Sequence, residues 1–68
     1  MEFNLKDSEY IELIKLLKAT NVAETGAQAK QIVEEGQARV DGQPELRKRA
    51  KLRRGSTVQV FDTTITIK

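Results

Sequence analysis

The chain has 68 residues, enough for one domain with a thin core, because a chain of this size buries only ~60% of its unfolded surface. Cysteine and histidine are both absent, which excludes disulfides and thiolate metal sites and removes the usual general base and neutral-pH switch. Net charge is +2, but residues 1–36 hold four lysines and seven acidic residues, a balance of −3, while residues 37–68 hold eight Lys or Arg and three acidic residues, a balance of +5. That asymmetry points to one side of the molecule facing a polyanion.

Phe3 and Leu5 are spaced for an N-terminal edge strand. Met1 to Lys6 lacks the basic region and apolar run of a signal peptide, and no apolar stretch approaches the length of a bilayer span. The expected location is therefore the cytoplasm, with no membrane partner. Asp7 or Ser8 offers a helix cap, with Glu9 and Glu12 placed to suit the helix dipole. Tyr10, Leu13, Ile14 and Leu17 recur at i, i+3, i+4 and i+7, which predicts an amphipathic helix over residues 8–19. Lys15 and Lys18 fall near its C-terminal end.

Thr20 to Glu24 breaks this pattern. Thr25-Gly26-Ala27-Gln28 then fits a capping box and opens a second helix over residues 25–35. Ala29, Ile32 and Val33 form its buried stripe, and Gly36 suits its C-terminal stop. Past Gly36 the period falls to two: Ala38 and Val40 alternate with Gln37 and Arg39. Asp41-Gly42 is a hairpin signal, and Pro44 limits the returning strand to an edge or a short segment. Val58 and Val60 alternate next, Asp62-Thr63 is expected to turn the chain, and Thr64 to Ile67 alternates again. The order predicts an α+β fold, two packed helices on a small, mainly antiparallel sheet, with residues 1–68 as a single domain.

The chemically distinctive stretch is Arg47-Lys48-Arg49-Ala50-Lys51-Leu52-Arg53-Arg54, in which six of eight residues are cationic. Arg39 and Lys30 can extend the same surface. Cations neutralising phosphates release condensed counterions, and arginine adds a fork that spans two phosphate oxygens. Thr25 marks a helix N-terminus, where free amides and the dipole attract phosphate. Gln28 and Gln31 can reach sugar or base edges, although Gln28 serves equally well as a cap. Phe3, Tyr10 and Phe61 are expected in core or edge packing, which favours recognition of a folded RNA over stacking on an unpaired strand.

The four glycines match no Walker or dinucleotide spacing, and adjacent Glu34 and Glu35 point in different directions on a helix. No nucleophile–base pair or metal cluster is visible, so neither an enzyme nor a cofactor is expected. Two other functions compete. One is an adaptor whose basic loop docks an acidic protein. The other is helix-turn-helix-like DNA binding, disfavoured by the weak basicity of the second helix.

Residues 11–60 resemble the S-four RNA-binding domain, named for a small-subunit ribosomal protein. The likeness rests on Ile11, Leu13 and Leu17, on the run Thr25-Gly26-Ala27-Gln28-Ala29-Lys30-Gln31-Ile32-Val33-Glu34-Glu35-Gly36, on Arg39-Val40-Asp41-Gly42, and on Leu52, Gly55, Val58 and Val60. It extends to stand-alone, ribosome-associated bacterial members of the family. The resemblance implies the S-four-like (alpha-L) fold and non-catalytic binding of structured RNA, such as ribosomal RNA or a ribosome precursor, by a monomer. It places Thr25, Gln28, Lys30 and Arg39 on the RNA face, joined on grounds of charge by Arg47, Lys48, Arg49, Lys51, Arg53 and Arg54. Gly26 stands where many members carry a basic residue, and Ser56 where many carry Asp.

Overall fold

The change of period at Gly36 divides helices from sheet in the computed structural model, which describes residues 1–68. Before it lie two short strands, β1 (Glu2–Phe3) and β2 (Ile11–Glu12), and two helices, α1 (Leu13–Ala19) and α2 (Gly26–Glu34). After it lie β3 (Ala38–Val40), β4 (Gln43–Pro44), β5 (Lys51–Leu52), β6 (Thr57–Val60) and β7 (Thr63–Ile67). Five strands form a sheet in the order β1-β7-β6-β3-β4, antiparallel except for the parallel β1–β7 edge. Strands β2 and β5 make a separate antiparallel ribbon. The fold is α+β, as the order of periods predicts. No helix is long and apolar enough to cross a membrane.

One apolar cluster joins both helices to the sheet. Leu13, Leu16 and Leu17 come from α1, Ala29, Ile32 and Val33 from α2, and Val58, Val60, Ile65 and Ile67 from the sheet. Each set follows its element's period, three or four residues on the helices and two on the strands. Every buried residue is apolar, and no side-chain polar atom is buried without a partner.

Helix α2 is closed at both ends by local chemistry. Thr25 Oγ1 accepts from the Gln28 amide at 3.1 Å, and Gln28 Oε1 accepts from the Glu24 amide at 2.7 Å. At the other end Gly36 has φ +74°, and the Gly36 and Gln37 amides donate to the Val33 and Ile32 carbonyls. That double return is a Schellman stop, which needs a left-handed residue where glycine stands. The β3–β4 turn also follows its sequence signal: Asp41 and Gly42 have φ of 52° and 85°, the type I′ sign pattern. Asp41 then ties this turn to β6, accepting from the Thr57 amide at 2.9 Å.

Helix α1 departs from expectation. It begins at Leu13 rather than residue 8, and its cap position is Glu12, which makes no side-chain cap. Ile11 and Glu12 are extended because they pair with Leu52 and Lys51. Asp7 and Ser8 therefore cap no helix, and the first amides of α1, those of Leu13 and Ile14, donate to the Ala50 and Lys48 carbonyls at 3.0 and 3.1 Å. A pairing across forty residues thus overrides a local cap signal.

Two aromatic assignments change as well. Tyr10 lies outside the helix and is 39% exposed, and Phe61 is 63% exposed. Phe61 and Asp62, not Asp62 and Thr63, form the β6–β7 turn, since Val60 pairs with Thr63. Phe61 takes φ +53° there, so its ring is carried on the turn instead of into the core.

The glycines that open α2 and follow its end should respond oppositely to alanine. Gly36→Ala forces a left-handed alanine and is expected to lower stability by about 1–2 kcal/mol. Gly26→Ala meets no atom within 4 Å and should raise stability by about 0.5 kcal/mol. Urea unfolding of the two variants measures both signs.

Candidate nucleic-acid interface

The basic run is held in place by its two apolar members. Ala50 and Leu52 are 7% and 2% exposed and belong to the core cluster, whereas all six cationic residues around them are exposed. Backbone bonds add to this anchoring: the Lys48 and Ala50 carbonyls close the first turn of α1, and the Ala50 amide returns to the Arg47 carbonyl at 3.1 Å. Alternation along the β2–β5 ribbon then sets the faces. With Leu52 inward, Lys51 and Arg53 point outward, together with Glu12 from the opposite strand and Tyr10 just before it.

The cations are not equivalent. Arg47 spends its fork on Glu45, with Nε–Oε2 and Nη2–Oε1 both at 3.1 Å. Hydrogen bonds from that side chain hold the Glu45 carboxyl below the usual carboxylate range and raise the Arg47 guanidinium. A depressed carboxylate keeps its partner at neutral pH and loses it only as pH falls through the folded-state value. The Arg54 guanidinium donates to the Lys6 carbonyl, fastening the run to the N-terminal segment. Lys51 Nζ lies 5.0 Å and Arg53 Cζ 5.8 Å from the centre of the Tyr10 ring. Lys48 and Arg49 make no ion pair within the chain, and neither do Lys30 on α2 or Arg39 on β3.

Thr25 and Gln28 are exposed at the start of α2 with their oxygens engaged in the cap. The amides of Gly26 and Ala27 remain without partners in the chain. This end of α2 follows the last turn of α1, while the basic run is bonded to the first. Arg39 stands on the sheet opposite Gln59 and lines a shallow groove with Gln37, Phe61 and Thr64. The predicted residues therefore occupy three places: the ribbon and its turn, the α2 start, and the sheet.

A model of the S4 domain matches residues 3–68. The chain belongs to the S4 domain family. Among relatives of this S4 chain, the candidate RNA-binding protein YbcJ of Escherichia coli (strain K12) is 48% identical over 56 residues, which cover 82% of this chain and 80% of that protein. The uncharacterized YbcJ of Shigella flexneri matches to the same extent. The solution structure of Escherichia coli YbcJ, described as revealing an alpha-L motif involved in RNA binding, superposes with a TM-score of 0.75 at 41% identity. The match covers 97% of this S4 chain and 84% of that one.

Sequence patterns passed over Tyr10 as a surface residue, because its spacing to Leu13, Ile14 and Leu17 matches a helix stripe. The available signal was the strand alternation Tyr10-Ile11-Glu12 against Lys51-Leu52-Arg53, legible only once the two segments are paired. The anchoring of the run has a direct test. Ala50→Glu should unfold the domain, since an unpaired buried charge costs several kcal/mol, whereas Arg49→Glu beside it should shift stability by no more than about 0.5 kcal/mol. Thermal unfolding followed by circular dichroism distinguishes the two.

Proposed function

We propose that this chain, as one S4 domain and a monomer, binds structured RNA without catalysis in the cytoplasm, and that its target is ribosomal RNA or a ribosome precursor. The observation that carries this is the clamped basic run: a dense cationic stretch fixed to the core by Ala50, Leu52 and the first turn of α1. A charge cluster held in one arrangement loses little conformational freedom on binding. Membership in the S4 family and the likeness to YbcJ support RNA as the polyanion.

Lys48, Arg49, Lys51 and Arg53 are the principal phosphate contacts in this proposal. Lys30, Arg39 and the start of α2 with Thr25 and Gln28 extend the surface. Arg54 is chiefly a tether, and Arg47 contributes least while Glu45 holds it.

A titration against a structured ribosomal RNA fragment, a matched single strand and duplex DNA at several salt concentrations tests this. Preference for the structured RNA is expected, with log K falling against log salt at a slope of about −3 to −5, corresponding to roughly four to six phosphates. Lys48→Glu with Arg49→Glu should abolish binding while leaving the urea midpoint in place. Equal, weak affinity for all three nucleic acids would refute the proposal and direct the search to acidic proteins.

Glu45→Gln provides a gain-of-function check. Freeing Arg47 should tighten binding several-fold and steepen the salt slope by about 0.7–0.9, the increment for one more phosphate. An unchanged slope would place Arg47 away from the RNA.

A further inference from the structure

We propose that Tyr10 is a stacking platform for one unpaired base of the bound RNA, with Lys51 and Arg53 taking the phosphates beside it. This rests on the RNA-binding function proposed above and adds a subsite to it. Tyr10 is 39% exposed on the outward face of the β2–β5 ribbon, with Lys51 and Arg53 at its ring. The ring is held on a firm base, since Ile11 beside it pairs with buried Leu52. An exposed cation over an aromatic ring gains less than a stacked base does. A base can therefore take the ring face and release the ammonium and guanidinium to the flanking phosphates.

A groove beside Tyr10 adds polar partners for a base. It has a volume of ≈ 750 Å³ and is lined by Asn4, Lys6, Ser8, Glu9, Glu12 and Lys15 among others, with Tyr10 forming part of its wall. Glu12 is paired there with Lys15 at 3.6 Å, while Asn4, Ser8 and Glu9 offer oxygens that can accept hydrogen bonds from the amino groups of a base. Phe61, although more exposed, carries no cation over its ring and stands next to Asp62.

Tyr10 is the sole tyrosine and the chain has no tryptophan, so its emission reports on this position alone. The probes are an RNA hairpin with a single bulged 2-aminopurine and the same hairpin fully paired. The bulged hairpin should quench Tyr10 emission, corrected for RNA absorbance, and lose its own 2-aminopurine emission with one-to-one stoichiometry. Tyr10→Ala should weaken the bulged hairpin roughly five- to thirtyfold, leaving the paired hairpin and both salt slopes unchanged. Tyr10→Phe should bind as the parent does.

Tight binding of the bulged hairpin with unaltered Tyr10 emission would overturn the stacking subsite and leave RNA binding standing. Equal losses on both hairpins with a shallower slope would overturn it too, showing that Tyr10 only positions the two cations. Failure of the parent protein to bind either hairpin would refute RNA binding itself, and the subsite with it. If Tyr10→Ala does not fold, the emission changes and Tyr10→Phe still decide.

Discussion

Two backbone hydrogen bonds organise this molecule: the amides of Leu13 and Ile14 donating to the carbonyls of Ala50 and Lys48. A helix start needs partners for its first amides, and most helices find them in a neighbouring side chain. Here they come from the basic run, so the same segment that carries the cations also completes α1. With the β2–β5 pairing, this fixes where α1 begins, which way Tyr10 faces and how rigidly Lys51 and Arg53 are presented. Neither helix nor basic run has its observed form without the other.

The surface charge is graded by what each cation already touches. Arg47 is neutralised by Glu45, and Arg54 is committed to a backbone carbonyl. Lys51 and Arg53 rest near an aromatic ring, an attraction of only about 0.5–1 kcal/mol at an exposed site. Lys48, Arg49, Lys30 and Arg39 have no ion-pair partner to give up. A count of positive residues hides this order, because six cations in a row read alike until their neighbours are known.

The parts of the fold legible from sequence were those decided locally. Thr25 and Gln28 announce the start of α2, Gly36 its end, and Asp41-Gly42 the hairpin, since each acts on residues a few positions away. The start of α1 was not legible, because Ile11 and Glu12 are claimed by residues some forty positions later, and a good helical stripe through Tyr10 concealed it. Phe61 was misplaced for a related reason: a bulky aromatic at positive φ runs against ordinary preference, and the β6–β7 register puts it there. Of the candidate site, composition picks out the basic run. Its anchoring through Ala50 and Leu52 depends on packing, and its division into engaged and unengaged cations depends on contacts that no local pattern encodes.

An interior made only of apolar side chains separates two properties that many small domains entangle. Raising ionic strength screens the exposed cations yet leaves hydrophobic burial intact. Salt therefore weakens the field of the cationic surface without loosening the fold. The same separation lets substitutions on the cationic face alter its charge step by step at little cost to stability. A thin core with no buried charge thus makes a durable base on which a charged surface can be rewritten.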